Sequence, residues 1–401
     1  MFRRTLLKQG GMAAVGLGVS ACVNRPNVAL HDPISIHGRS TCSLPVVRAS
    51  WDRIIRTTVG LRPYRPAGFV LKARKLDDRL LIHNYGHGGT GHSLSWGCGA
   101  VAADWALSQS GRSAAVIGCG TVGLAVARQL QRRGFAVTIY TKAVPPDTTS
   151  NMALAGFTPT SGLVDPDLRS SAWDAQFRQV AEIAFREWQL LVGSSYGVSW
   201  LDAYSTFDQR PVQSEPDDSP LLPASLRMAS EVLGPGEHPF PLRYATRQLS
   251  LRIEPSIYLD AMVRDVLRFG GRVKIRSFDK PRDLMAVAEP VIINCTGLGA
   301  RVLFSDDTLV PAKGQLTLLA PQPEINYRTQ GGLTPQPGIG LHMMPRADGI
   351  ALGGTSERGA WSLEPDEEAR QRVVNGHIAL YSAMCGTLSP NDARSPVSFN
   401  G

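Results

Sequence analysis

The chain has 401 residues, 43% hydrophobic and 19% charged, with a formal net charge of +8 and a pI near 9.3. These totals describe a globular protein with one large core or two intimate domains. Arg and Lys are scattered with no aromatic-spaced basic stripe, so nucleic acid is not an expected partner; anionic small molecules, an anionic membrane face or plain solubility account for the excess.

Residues 1–22 read as an export signal. Arg3-Arg4 precede Leu6-Leu7-Lys8 in the manner of a twin-arginine signal, and a weakly hydrophobic run leads to Val19-Ser20-Ala21-Cys22, which looks like a bacterial lipobox. The expectation is a periplasmic protein that is anchored to the membrane through a lipidated Cys22. The run is too short and glycine-rich for a spanning helix. Residues 23–45 read as a linker carrying Pro26, Pro33 and Pro45.

Next stands Val59-Gly60-Leu61-Arg62-Pro63-Tyr64-Arg65-Pro66. A strand at Leu80-Leu81-Ile82 then enters a glycine-rich stretch from His83 to Ser93, with glycines at 86, 88, 89 and 91. Such spacing permits a nest of backbone N–H groups, and a helix from Ser93 to Leu107 adds the field of its N-terminus. His87 and His92 stand in this stretch, where a structural role for each is the more ordinary reading.

The following unit is a strand at 114–117, the turn Gly118-Cys119-Gly120-Thr121-Val122-Gly123, a helix from Leu124 to Arg133 stopped at Gly134, and a strand from Ala136 to Tyr140. Gly118-x-Gly120-x-x-Gly123 between strand and helix is the dinucleotide-binding fingerprint. Gly118 makes the turn, Gly120 admits a pyrophosphate, and Gly123 lets the helix sit on the strand. The acidic residue that ordinarily ends the second strand and binds ribose is replaced by Thr141-Lys142-Ala143, and Asp147 lies beyond Pro145-Pro146.

Further on, Phe177, Val180, Ile183, Ala184, Trp188 and Leu191 mark one face of a helix over 171–196. Residues 206–247 are polar and proline-rich, a loop or strand meander over a substrate cavity. A helix runs from about Tyr258 to Phe269, stopped by Gly270-Gly271. A strand at 291–293 delivers the turn from Asn294 to Gly297, and strands near 314–319, 340–344 and 349–353 suggest a mostly antiparallel substrate sheet. The six cysteines form no CxxC pair or metal-spaced set, so small buried side chains are expected and neither a disulfide framework nor a metal.

Several of these stretches resemble the D-amino-acid oxidase family, which is FAD-dependent. Gly60-Leu61-Arg62-Pro63-Tyr64-Arg65-Pro66 is close to the family's GLRPxRP, and His83 to Gly91 to its HNYGHGGxG. Asn294-Cys295-Thr296-Gly297 resembles its second turn at the flavin, and Thr148-Thr149-Ser150-Asn151 the loop after the second Rossmann strand. Pro311-Ala312-Lys313-Gly314-Gln315 matches PxRGQ with Lys for Arg, and Leu352-Gly353-Gly354-Thr355 its late strand and turn. The order differs: in the family the Rossmann strand comes first and the GLRP and HNYGHGG segments last. The chain reads as a circular permutation, joined through Ser108 to Arg112.

The resemblance implies an α/β fold: a Rossmann-type FAD-binding domain with a mostly antiparallel substrate domain. The division expected is 46–165 and 251–300 for FAD binding, 166–250 and 301–385 for substrate, and 386–401 as a tail. It implies oxidation of the C–N bond of a D-amino acid, with hydride passing to flavin N5 and the imine hydrolysing to a keto acid; oxygen or a membrane electron carrier then takes the electrons. Arg62 is the expected partner of the substrate carboxylate. His342 stands where the family commonly has a tyrosine that meets the same carboxylate. FAD is expected on Gly118, Gly120, Thr121, Val122, Gly123, Thr149, Ser150, Asn151 and Gly297, and on Gly86, Gly88, Gly89, Thr90, Gly91, His92 and Ser93. Alternatives are a flavin enzyme for glycine, sarcosine or an anionic amino acid, the last suggested by the basic balance and Lys313, and a non-catalytic flavin-binding relic. A nicotinamide dehydrogenase leaves the Gly86–Gly91 nest unexplained.

Overall fold

The computed structural model describes residues 44–211, 221–333 and 340–384. The export signal with Cys22, most of the linker and the tail lie outside these residues. In chain order the strands and helices are β1 (Ile54–Tyr64), β2 (Val70–Leu76), β3 (Arg79–Tyr85), α1 (Gly91–Ala106), β4 (Ser113–Ile117), α2 (Thr121–Arg132) and β5 (Ala136–Thr141). There follow α3 (Ser171–Leu190), β6 (Val198–Phe207), β7 (Ser230–Leu233), β8 (Tyr244–Ile253), α4 (Pro255–Arg268), β9 (Arg272–Ile275), β10 (Val291–Asn294) and α5 (Gly299–Leu303). The last are β11 (Val310–Leu319), β12 (Tyr327–Gln330), β13 (His342–Arg346), β14 (Gly349–Gly353), β15 (Glu357–Arg358) and α6 (Glu367–Ser382).

Among the described residues the strands make two sheets. The six-stranded sheet runs β2-β3-β10-β4-β5-β9. Its pairs are parallel except β2 with β3. Its centre, Val291–Asn294 beside Ala114–Ile117, is buried on both faces, which is why those segments are apolar without alternation. Helices α1 and α2 pack together over one face, with α4 against α2 and α3 against α1. Gly97 permits the last contact: a Cβ there would stand 1.8 Å from Val180 O.

The second sheet has nine strands in the order β1-β11-β14-β13-β12-β6-β8-β7, with β15 also against β11. All pairs are antiparallel except β12 with β6. Helix α6 packs on it through Val373, Leu380 and Tyr381. Asp366 caps that helix by accepting from Ala369 N–H at 2.9 Å, and its own N–H donates to Gln315 Oε1 at 2.7 Å, which ties α6 to β11.

Two expected boundaries are corrected. Residues 54–64 were assigned to the FAD-binding part, but they pair with β11 along their whole length, in the nine-stranded sheet. Residues 171–190 were assigned to the substrate part, but Phe177, Val180, Ala181, Ala184 and Trp188 share one core with α1, α2 and the six-stranded sheet. In both cases tertiary pairing decides membership, which no local pattern reports. The α3 helix also stops at Leu190, because the chain turns into a bridge between Gly193 and Val198. Within 206–247 the described strand pair is β7 on β8.

Five histidines are held near neutrality by the fold. His83, His87, His92, His342 and His377 are each pushed from 6.5 down to about 4, in every case chiefly by burial. Above pH 6.5 folded and unfolded chains both carry them neutral. Between 6.5 and about 4 the unfolded chain takes up protons that the folded chain refuses, so stability falls as pH falls. The urea midpoint is expected to hold steady above about pH 7 and to drop through this window. An unchanged midpoint at about pH 5 would count against these buried positions.

Candidate active site

The glycine-rich turns meet at one edge of the six-stranded sheet because β3, β10 and β4 run parallel and in step. His83 is level with Asn294, and Asn294 with Ile117. Their C-terminal ends therefore deliver Gly86, Gly297 and Gly118 to the same place. Gly118 has φ 115° and Gly297 φ 57°, conformations that L side chains avoid. A Cβ on Gly118 would lie 2.5 Å from Cys295 O, and one on Gly123 2.1 Å from Gly118 O. The fingerprint glycines are thus fixed by close backbone packing.

The two glycine-rich stretches also touch. A Cβ on Gly91 would meet Thr121 Cγ2 at 3.6 Å, so the N-termini of α1 and α2 are neighbours. The α1 helix starts at Gly91, two residues before the expected Ser93. Neither Thr90 nor Gly120 gives its helix a side-chain cap. Two first turns therefore present backbone N–H groups and positive dipole ends at one spot, which is what a pyrophosphate requires.

The loop of residues 148–163 closes over this spot. Ser150 Oγ accepts from Thr121 N–H at 3.0 Å, and Thr148 donates to Asn151 Oδ1 at 2.8 Å. Thr149 and Met152 lie against Gly60. Gly89 donates to Gly162 O at 3.2 Å. Ser93 Oγ donates to Gly156 O at 3.1 Å and accepts from Thr158 N–H at 2.8 Å. Thr90 turns its hydroxyl back to His87 O. The expected cofactor residues of both stretches are therefore gathered, with the Ser93 side chain spent on the 148–163 loop and the Thr90 hydroxyl and N–H both donated to His87 O.

The histidines differ from one another. His87 is in the core, stacked on Phe69 at 5.4 Å with Nε2 3.4 Å from Cys98 Sγ. His92 turns its imidazole towards Tyr258, ring centres 6.1 Å apart. Its Nε2 is a buried polar atom without a close hydrogen-bond partner, and the Tyr258 hydroxyl beside it has Trp96, Ser95 and Thr121 as its polar neighbours. At the end of β5, Thr141 Oγ1 donates to Ala143 O, so no carboxylate replaces the missing ribose acid there.

Arg62 sits on β1 level with Ala312, its stem beside Gly89 and its guanidinium against Gly314. Its Nε donates to Ala312 O at 3.1 Å, and its Nη2 to Thr355 O at 3.2 Å and Lys313 O at 3.4 Å. These partners are neutral. Burial, with no anion to offset it, holds its guanidinium below the usual value. Lys313, expected to favour an acidic substrate, is buried and contributes its carbonyl to Arg62.

The tautomer of His342 is set by a backbone carbonyl. Its Nδ1 lies 3.0 Å from Gly340 O, and a carbonyl only accepts, so Nδ1 carries the proton. The neutral ring then has a bare Nε2. It accepts a hydrogen bond and has no proton to donate there. Its neutrality follows from burial first, opposed by the Gly340 bond and reinforced by the charges of Arg328 and Arg62.

Sequence reasoning missed Arg328. It stands on β12 between the buried Tyr327 and Thr329, and its strand pairs with β13 so that Gln330 is level with His342. Its Nη1 donates to Ser250 Oγ at 3.3 Å and its Nη2 to Gln330 Oε1 at 3.4 Å. Burial alone lowers its pKa, as for Arg62. No local motif marks this arginine.

Comparison with known proteins decides the family. The family model described as FAD dependent oxidoreductase matches residues 113–395. The chain is a member of this family. It is 30% identical over 272 residues to a D-amino-acid oxidase of Streptomyces coelicolor, covering 68% of this chain and 78% of that one. It is 27% identical over 280 residues to a D-aspartate oxidase of Homo sapiens, covering 69% and 77%. Among solved structures it is similar to a glycine oxidase from Geobacillus kaustophilus, at 16% identity and TM-score 0.48, covering 68% of this chain and 80% of that chain.

The cofactor of this flavoprotein is FAD, and the site fits it. The adjacent N-termini of α1 and α2 and the glycine cradles at 118–123 and 86–91 would hold the pyrophosphate and the flavin edge. Replacing Gly123 by Val drives a side chain into Gly118 O. FAD affinity, read by flavin fluorescence titration, is expected to fall at least about tenfold. Unchanged affinity would mean that the cofactor does not use this turn.

Proposed function

We propose that this flavoenzyme oxidises the C–N bond of D-amino acids and favours those with an acidic side chain. One observation carries the reading: Arg62 and Arg328 are half-buried guanidiniums with no carboxylate partner among the described residues, each held below its usual pKa by desolvation, and both act on His342. Burying a cation is costly unless an anion meets it. An α-carboxylate on the open Nη1 side of Arg62 and a second carboxylate on Arg328 supply both anions. Similarity to D-amino-acid and D-aspartate oxidases supports the same substrate class.

The protein's own part is position and charge. Arg62, clamped by three carbonyls, fixes the α-carboxylate. Arg328 sets the side chain, and a Cβ on Gly156 would stand 4.0 Å from its Nη1, so the 148–163 loop forms part of that wall. His342, neutral at pH 7, offers Nε2 as an acceptor rather than a further charge. When bound, FAD would take up the hydride, which carries the electron pair, while the amine gives up a proton. The imine product then hydrolyses to a keto acid and ammonia.

The test is an anaerobic titration of the flavin-loaded protein with D-aspartate, D-alanine, their L-forms, glycine and sarcosine, followed by admission of air. Bleaching of the flavin bands is expected with the D-forms, D-aspartate at the lowest concentration; recovery in air identifies oxygen as acceptor, and its absence points to a carrier. Arg328→Leu is expected to lower kcat/KM for D-aspartate by about thirtyfold or more, the loss of a buried charge contact, and to change D-alanine less than about threefold. Preference for glycine or sarcosine would replace this reading with a small-amine oxidase. Bound flavin that bleaches with none of them leaves the relic.

We also propose that the segment order is a circular permutation of the family's. In support, the matched region starts at residue 113, whereas β1, β2, β3 and α1 precede it and hold places in both sheets. Tyr327 further brings two distant parts together: its hydroxyl donates to Pro45 O at 2.8 Å and lies 3.8 Å from Met384 Sδ. A chain opened before Ser113, with Met384 joined to Leu44 by a short linker, is expected to fold and bind FAD. Loss of soluble, flavin-binding protein on that rearrangement would sink the idea.

A further inference from the structure

A second cleft, of about 270 Å³, opens away from the active site, lined among others by Arg65, Lys72, Arg74, His83, Tyr85 and Asp306. Lys72 and Arg74 come from the edge strand β2, and His83 and Tyr85 from β3. Residues two apart share a face, and Lys72 is level with His83. The neighbouring positions Leu71 and Ile82 point into the core under the helices. The cleft is therefore on the opposite face of the six-stranded sheet.

Its one acid is already occupied. Asp306 Oδ2 accepts from the Tyr85 hydroxyl at 2.8 Å and pairs with Arg65 at 3.3 Å, while Oδ1 accepts from Thr308. Arg74 has the Phe304 ring 5.5 Å beneath its guanidinium, and among the described residues neither it nor Lys72 has a carboxylate partner.

The tautomer of His83 is set by its neighbours. Asn294 turns Oδ1 to the Thr296 N–H at 3.2 Å and the Thr296 hydroxyl at 2.7 Å. Its Nδ2 therefore faces His83 Nδ1, 3.2 Å away, and donates to it. The imidazole proton must sit on Nε2. The ring is kept neutral by burial, then by Arg74 and Lys72, against a smaller opposing pull from Asp306; the remaining neighbours are the Tyr85 and Phe304 rings, 5.7 and 4.6 Å away. Lys72, Arg74 and a neutral N–H donor thus stand together with no acceptor left for them.

We propose that this cleft is an anion site that takes a phosphate group on Lys72, Arg74 and His83 Nε2–H. Lysines on an edge strand also discourage strand pairing, but that role needs neither a cleft nor an oriented imidazole. Donors of this kind fit a tetrahedral oxyanion through charge-assisted bonds. The phosphate could be free or part of a lipid headgroup, since both present the same oxygens. Occupancy has a route to the cofactor edge: His83, Asn294 and Thr296 form a hydrogen-bonded chain that ends one residue before Gly297.

The test uses the flavin-loaded protein in calorimetric titration with inorganic phosphate, against sodium chloride at matched ionic strength. One saturable site is expected. In Lys72→Ala/Arg74→Ala it should weaken at least about tenfold, the loss of two charge-assisted contacts. Both side chains are exposed, so the variant should keep the parent's melting temperature and flavin spectrum. Sedimentation with phosphatidylglycerol vesicles but not phosphatidylcholine ones, lost in the variant and displaced by phosphate, assigns the site to a headgroup. Phosphate binding without vesicle retention assigns it to free phosphate. Absence of saturable heat and of vesicle retention, equal binding by the variant, or equal displacement by chloride overturns the proposal.

Discussion

The Arg62 guanidinium constrains the strands around it. It lies between two sheet strands where a cation has no carboxylate to meet, and three backbone carbonyls hold it there. Gly60 and Gly314 are level across β1 and β11. A Cβ on Gly314 would come 3.1 Å from Arg62 Nη2, so the absence of a side chain there makes room for the charge. Dipoles soften the cost of such burial without cancelling it. The strand pair is thus built around a cation that no carboxylate meets among the described residues.

Charge at the other end of the site is handled by the sheet. Parallel strands in register bring three turns to one edge, and helices α1 and α2 begin just beyond it. Those helix starts are poor in side-chain caps, as suits a place that awaits phosphate oxygens. The loop of 148–163 fastens the two stretches together through Ser150 and Ser93. Cofactor and substrate regions therefore share a framework: Gly89 of the nest approaches Arg62 Cδ to within 4.0 Å of its virtual Cβ.

Local chemistry made part of this legible in the sequence. The β4–turn–α2–β5 unit could be read because its glycines, apolar runs and the stop at Gly134 act over a few residues. The nest at Gly86 to Gly91 was visible for the same reason, with the helix start displaced by two residues because uncapped Gly91 already has helical geometry. The membership of β1 was not legible, since its partner β11 lies some 250 positions on. Nor was that of α3, whose apolar stripe fits any core. Arg62 could be named from its motif, whereas Arg328 could not: its significance comes from β12 lying next to β13, which puts Gln330 level with His342. The tautomer of His342 was not legible, because it depends on Gly340 O.

Under the proposed function, charge balance favours a dicarboxylate over a simple amino acid. Removal of hydride from the α-carbon needs the amine neutral, so a reactive aspartate-like substrate carries two negative charges and no positive one. Arg62 and Arg328 carry two positive charges, and neutral His342 adds none. A monocarboxylate would satisfy Arg62 and leave the half-buried Arg328 with only the weak neutral partners Ser250 and Gln330, at 3.3 and 3.4 Å. The penalty falls on the protein side of the complex, so it acts against every substrate that lacks the second anion, whatever the shape of its side chain. It also favours the neutral amine: an ammonium near two guanidiniums is repelled, which lowers its pKa and moves the bound substrate towards the form that reacts.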